Sequence, residues 1–250
     1  MTDAGRTYTT EELMATIISR EIKNGEVVAV GTFSPIPATA GILAKASHAP
    51  QSDVYILGSK DWWPFSEGSF EFFHAAQRGR FDYFFLSGAQ IDRLGNINLH
   101  AIGDYKKPSV RLPGGAGSSM LYYMVKKVIL FKTDHTVRTF VEKVDFITSS
   151  ASPPPSVYRP GGLHIVITPL AVMVRNSETG FLELLSVHPG YTPEEVQANT
   201  GFELSFHRGQ CFETKAPTED ELKLLRGAVR QEVANIYPSF ADKAFGPKLS

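Results

Sequence analysis

Residues 86–119, LSGAQIDRLGNINLHAIGDYKKPSVRLPGGAGSS, constrain the fold more than any other part of the sequence. They leave an apolar run, residues 81–86 (FDYFFL), that reads as a buried strand. The chain then turns at Gly88, turns again at Gly95-Asn96, and ends in a second cluster, Gly114-Gly115-Ala116-Gly117. Glycines at this density let backbone approach a neighbour closely and take φ > 0 at low cost. Met120, Leu121, Met124 and Val125 follow at helical spacing. Loop N–H groups and a helix N-terminus directed at one point suit an anion or a developing oxyanion. Two ordinary strand-to-helix turns of an α/β domain give the same spacing, because glycine-rich loops are weak motifs.

The flanking sequence supplies the domain around this loop. Thr9-Thr10-Glu11-Glu12 is a capping box ahead of Leu13, Met14, Ile17, Ile18 and Ile22 at helical spacing. Residues 26–30 (EVVAV) predict a strand, 38–46 a small-residue helix, and 53–57 (DVYIL) a second strand. Strand, helix, strand in that span indicates a crossover and a parallel sheet. A loop over 58–69 carries Trp62 and Trp63, which either plug a groove of the same chain or form a partner surface or an acyl-pocket wall. A helix over 70–79, and strands over 81–86, 125–131 and 139–147, come next. Within the last of these, Glu142 and Asp145 would face opposite sides, which argues against paired-carboxylate chemistry.

Residues 149–162 (SSASPPPSVYRPGG) are the one composition break and read as a surface excursion inside a single domain over 1–250. Runs at 163–169, 170–175 and 181–187 predict antiparallel strands added at one edge. Thr192-Pro193 and Pro217-Thr218 begin the last helices, and the tail from Pro238 is expected to be loose or bound to a partner. The fold class is α/β, an open and mostly parallel sheet flanked by helices with an antiparallel edge.

A net charge of −1 announces neither a nucleic-acid partner nor an anionic membrane surface. No run approaches the roughly 20 apolar residues of a spanning helix, and the N-terminus has no leader pattern. With one cysteine, Cys211, no internal disulfide is possible, so the expected compartment is the cytoplasm. Histidines lack HxxxH or HxH spacing and there is no CxxC, so no metal is expected. There is no GxSxG and no Walker sequence. His188 reads as a turn or cap residue and His48 and His74 as helix-end or surface residues. His100, inside the glycine-rich region, is the histidine best placed for chemistry.

GAQIDRLGNIN, RLPGGAGSS and FVEKVDFITS, with the later SVHPGYTPEEVQANTGFEL, resemble the β subunits of family I CoA-transferases, of the glutaconate type. The resemblance covers residues 11–204. It implies that fold, a coenzyme A thioester as substrate with no permanently bound cofactor, and an α-type partner subunit. By motif it places CoA and an oxyanion at Gly88, Ala89, Gln90, Gly95, Asn96, Gly114, Gly115, Ala116 and Gly117. Oxyanion donors of this kind contribute roughly 3–4 kcal/mol each.

The same resemblance exposes a departure. The family's nucleophilic glutamate, at the end of an early β-subunit strand, falls here at Leu57, followed by Gly58-Ser59. No glutamate occurs between Glu26 and Glu67, and leucine cannot be acylated. The family's asparagine-aspartate pair after the glycine cluster is Ser119-Met120. The sequence in this respect resembles the branch without that glutamate, ring-opening acyl-CoA hydrolases and a glutaconyl-type CoA decarboxylase. This implies C–C hydrolysis or decarboxylation of a carboxylated or ring-derived acyl-CoA, with the catalytic carboxylate on the partner. Ser59 is a weak substitute nucleophile. The alternatives are a true CoA-transferase that uses Asp61 or Glu67, and a non-catalytic binding subunit.

Overall fold

The computed structural model describes residues 6–66, 68–152, 154 and 156–247. In chain order the elements are α1 (Thr10–Glu21), β1 (Val27–Val30), α2 (Pro35–Ala46), β2 (Asp53–Ile56), α3 (Ser69–Gln77), β3 (Tyr83–Leu86), β4 (Gln90–Asp92), β5 (Ile97–Asn98), β6 (Ala101–Ile102), β7 (Val110–Arg111) and α4 (Ser118–Met124). Then follow β8 (Lys127–Phe131), β9 (Phe140–Val141), β10 (Leu163–Ile167), β11 (Ala171–Arg175), β12 (Leu182–Val187), α5 (Pro193–Ala198), β13 (Phe212–Glu213), α6 (Glu219–Leu224), α7 (Arg230–Ile236) and α8 (Pro238–Ala244). They fall into two compact units, Met1–Gly68 with Phe81–Phe85 and Ala216–Ser250, and Ser69–Arg80 with Leu86–Lys215. Both are α/β, as the alternation of patterns predicts.

In the first unit β1 pairs in parallel with both β2 and β3. The crossover helix α2 is small-residued for a packing reason. A Cβ on Gly41 would stand 2.9 Å from Val54 Cγ1, so only glycine allows this approach of helix to strand. α2 begins at Pro35, earlier than the expected residue 38, because proline at the first helical position surrenders no hydrogen bond. Thr9 caps α1 as read, its hydroxyl accepting from Glu12 N–H while the Glu12 carboxylate accepts from Thr9 N–H. The tail from Pro238, expected to be loose or bound to a partner, is not loose over Pro238–Ala244, where it forms α8 and buries Ala241 and Ala244.

Glu12 does more than cap. Its carboxylate is fully buried and takes Nε and Nη2 of Arg226 at 2.7 and 2.8 Å. Arg226 Nη2 also donates to Thr7 C=O and Nη1 to Pro247 C=O. Both ends of the chain are thereby tied to α1. Arg226 lies in a π-helical segment, Leu225–Val229, where Gly227 leaves helical geometry.

In the second unit β8 and β10 are parallel, β10–β11 and β11–β12 antiparallel, and β13 adds in parallel outside β12. The antiparallel strands therefore stand where read, but a two-residue strand covers their outer side. A second sheet has the order β5–β4–β9. The strand expected over 139–147 shrinks to Phe140–Val141, because its partner β4 offers only Ile91 and Asp92 to pair. Beyond it the chain turns, and Glu142 pairs with Arg93 at 2.6 Å. Of the proline-rich excursion, Pro153 and Pro155 lie outside the described residues, and Ser152 and residues 156–160 are exposed.

His188 opens the expected turn, its C=O accepting from Tyr191 N–H at 3.1 Å. It is fully buried, with Nδ1 at 2.9 Å from Thr214 Oγ1 and Nε2 at 2.8 Å from Thr168 C=O. The Pro189-Gly190 turn thus starts from a side chain anchored in the core. His135, also buried, contacts Thr168 and Thr200 hydroxyls.

Two stability outcomes follow from these buried groups. Arg226→Met should lower the unfolding free energy by roughly 3–5 kcal/mol, since it strands a buried carboxylate. The double variant E12L/R226M should recover most of that in urea unfolding. Burial, reinforced by His188 and opposed by Asp134, pushes the His135 imidazole from 6.5 down to about 4. The unfolded chain then binds more protons between those values, so stability is complete above 6.5 and falls as pH drops. Unfolding at pH 5 should cost about 2 kcal/mol less than at pH 7.5, and H135N should remove most of that difference.

Candidate functional site

Two places carry the residues the sequence singles out, one in each unit. In the second unit the loop from β7 to α4 holds Gly114 at φ +96 and Ala116 at φ +44, followed by Gly117 at φ −84. Alternation of hand between successive residues turns their N–H groups to one side, the geometry of an anion nest. Among the described residues, the N–H groups of Gly115, Ala116 and Gly117 meet no acceptor. Gly114 N–H does, bonding Leu99 C=O at 2.8 Å. Gly115 is glycine for space, since a Cβ there would stand 2.5 Å from Thr148 Cγ2 and 2.7 Å from Ser118 Oγ.

His100 stands beside this loop. Its Nδ1 lies 2.7 Å from Thr148 Oγ1, and its ring packs on Phe146. Thr148 Oγ1 already accepts from Leu99 N–H at 2.8 Å. Thr148 Oγ1 thus serves both groups, and Nε2 is the His100 ring nitrogen nearest Gly114. His100 is oriented by a hydroxyl, with Nε2 on the side of the loop. Thr148 has no local motif that marks it. It sits inside the FITS block, whose spacing to His100 is uninformative without a fold.

The other residues named in this region divide by role. Gly95 and Asn96 form the β4–β5 turn. Gly95 N–H bonds Asp92 C=O, Asn96 Nδ2 and N–H bond the Asp92 carboxylate, and Asn96 Oδ1 accepts from Ala151 N–H. Ala89 N–H is used by Asn98 C=O. Gln90 is locked on both ends, accepting from Asn98 Nδ2 at 2.8 Å and Asp145 N–H at 3.0 Å, and donating to the Asp145 carboxylate. Ala89 and Gln90 nonetheless line an open cavity of about 590 Å³ with Ile102, Thr136 and Arg138. Arg138 brings a cation to that wall, and no sequence motif pointed to it. Gly88 is buried against the same hairpin, where a Cβ would stand 2.7 Å from Gln90 C=O.

In the first unit, Leu57 follows β2 directly, and its N–H donates to Val30 C=O at 3.0 Å. It is half-buried at the carboxyl end of a parallel strand, the end at which open α/β sheets hold ligands. Gly58, at φ +93, turns the chain after it. Ser59 Oγ accepts from the N–H groups of Asp61 and Trp62 at 3.3 and 3.2 Å. Among the described residues no imidazole or carboxylate bonds that hydroxyl, so Ser59 builds the turn. Gly58 through Trp62 line a cavity of about 270 Å³ with Glu232, Asn235 and Ile236 of α7. Trp62 Nε1 reaches Glu232 Oε2 at 3.4 Å, and Trp63 packs edge-on to Phe65. Both tryptophans are half-buried. Glu67 lies outside the described residues.

Cys211 is half-buried, and burial raises its thiol above the ordinary range, which suits an unreactive group. Among the described residues, no three His, Cys, Asp or Glu side chains are grouped to hold a metal ion, and no helix is long and apolar enough to cross a membrane.

Known proteins resemble this chain in sequence and fold. The family model for coenzyme A transferase matches residues 62–199. The chain is 38% identical over 247 residues to the β-type chain of 3-oxoadipate CoA-transferase from Pseudomonas knackmussii, covering 88% of this chain and 92% of that one. It superposes on glutaconate CoA-transferase of Acidaminococcus fermentans with a TM-score of 0.78 at 27% identity, over 94% of this chain and 97% of that one. It is also 28% identical over 227 residues to the cholesterol ring-cleaving hydrolase IpdB subunit of Rhodococcus jostii, covering 81% and 84%. On its sequence blocks, its fold and these relatives, the chain belongs to the coenzyme A transferase family.

Proposed function

We propose that this chain is the β subunit of a heteromeric enzyme that cleaves a carbon–carbon bond of a carboxylated or ring-derived acyl-CoA, by hydrolysis or decarboxylation, and does not transfer CoA. The observation that carries the reading is Leu57 at the exit of β2, where the resemblance calls for an acyl-accepting glutamate. A hydrocarbon side chain cannot form the glutamyl thioester through which a transferase passes CoA. Ser59 does not replace it, because its hydroxyl is taken up by the turn. The binding parts are retained. Unpaired amides at Gly115, Ala116 and Gly117 suit the thioester oxyanion, with the His100 imidazole beside them. Gly88, Ala89 and Gln90 shape the wall beside the 590 Å³ cavity, and Gly95-Asn96 set its hairpin. The catalytic carboxylate then comes from an α-type partner, in line with relatives that are themselves one of two kinds of subunit.

The transferase reading has its own support in the 38% and 30% identity to subunits B of 3-oxoadipate and glutaconate CoA-transferases. It would require a carboxylate in the 270 Å³ cavity, Asp61 or Glu232, to serve as acceptor.

The heteromer, made by co-expressing this chain with its α-type partner, distinguishes the two. Carbon–carbon cleavage of a β-carboxylated or cyclic-ketone acyl-CoA, without exchange of labelled CoA into free carboxylates, is expected. Rapid exchange that D61N or E232Q abolishes would refute the reading. G115A, which pushes Thr148 and Ser118 from the loop, should weaken acyl-CoA binding about tenfold or more, as followed by calorimetry.

A further inference from the structure

Among the described residues of the first unit, Phe33 is the non-glycine residue with a positive φ. It lies in the loop between β1 and α2, with a left-handed backbone at φ +54, and its ring is 87% exposed. A bulky residue in that region costs about 1–2 kcal/mol. An exposed ring also forgoes the burial that would offset the strain. Glycine would hold the same backbone freely, so what the position gains from phenylalanine is the ring itself. No ring contact to Phe33 occurs among the described residues.

Its location gives the ring a use. Phe33 comes three residues after Val30, and Leu57 one residue after Ile56. Val30 and Ile56 are register partners in a parallel pair, closed at the exit by the Leu57 N–H to Val30 C=O bond. Both residues therefore leave the sheet at the same end of neighbouring strands. One carries an exposed aromatic ring, the other a half-buried isobutyl group where the resemblance calls for a charge. A charged or small acyl group gains nothing from such a pair, whereas a bulky hydrocarbon group does.

We propose that Phe33 is a specificity-determining residue that packs, with Leu57, against the apolar ring or branched portion of the acyl group of an acyl-CoA. This rests on the reading above that this strand end faces the acyl group. It goes further by assigning the residue that selects a bulky apolar acyl group over a short one.

Calorimetric titration of the heteromer with cyclohexanecarbonyl-CoA, acetyl-CoA and free CoA tests it. F33G keeps the backbone at ease and removes only the ring. It should weaken cyclohexanecarbonyl-CoA about tenfold and leave acetyl-CoA and CoA within about twofold; F33Y should restore the wild-type preference. Equal binding of all three ligands by wild type and F33G, or equal loss of all three, would overturn the assignment. So would failure of F33G to assemble with the partner, which would make Phe33 a subunit contact. A wild-type heteromer that transfers CoA yet shows the ring-selective loss would overturn the proposed reaction and keep Phe33 in its role. A wild-type heteromer that binds none of the three would overturn both.

Discussion

The parallel pairing of β1 with β2 is the constraint on which the functional reading depends. Four register pairs, Val27 with Asp53 through Val30 with Ile56, fix where the second strand stops. The next amide, that of Leu57, closes the ladder on Val30 C=O, so residue 57 has no freedom to leave the strand end. Its side chain is presented at the carboxyl end of the sheet whatever its chemistry. A glutamate there would be an aimed nucleophile; leucine makes the same point in space apolar. The packing of α2 over the strands, possible only with Gly41 against Val54, and the Glu12–Arg226 pair that ties the chain ends to α1, hold this frame.

The glycine region obeys a different logic. Its hairpin is saturated: Asp92, Asn96, Gln90, Asn98 and Asp145 satisfy one another, and few donors are left over. The turn before α4 is the reverse, three amides with no partner among the described residues, at a position where a Cβ on Gly115 would collide with Thr148. A saturated support under an unsatisfied loop is how a rigid donor set is held ready for charge that develops elsewhere. Thr148 joins the two by receiving the Leu99 amide and orienting His100.

Much of this was legible in the sequence, for local reasons. Capping boxes at Thr9–Glu12 and Thr192–Glu195 involve neighbours three residues apart, and the structure holds both. Strands with β-branched runs stand where the pattern put them. What was not legible depends on distant partners. The run at 139–147 has strand composition, yet a strand needs a ladder, and β4 is too short to provide one. His188 opens the turn that Pro189-Gly190 marks, but its burial against residues 168 and 214 has no local signal. Glu12 looks like a simple cap because Arg226 is 214 residues away. Phe33 gives no sign of its left-handed backbone, since phenylalanine is a poor marker for φ > 0. Of the site, the glycine positions were readable as motif. Which of their amides are free was not.

The central claim is that turnover leaves every side chain of this chain unacylated. Intact-protein mass spectrometry of the chain is the direct measurement, taken during turnover of the heteromer on an acyl-CoA and after borohydride quenching. The account predicts an unchanged mass in both samples. A mass gain equal to coenzyme A less water before quenching, replaced after it by the small loss expected when a carboxyl group is reduced to an alcohol, would contradict it.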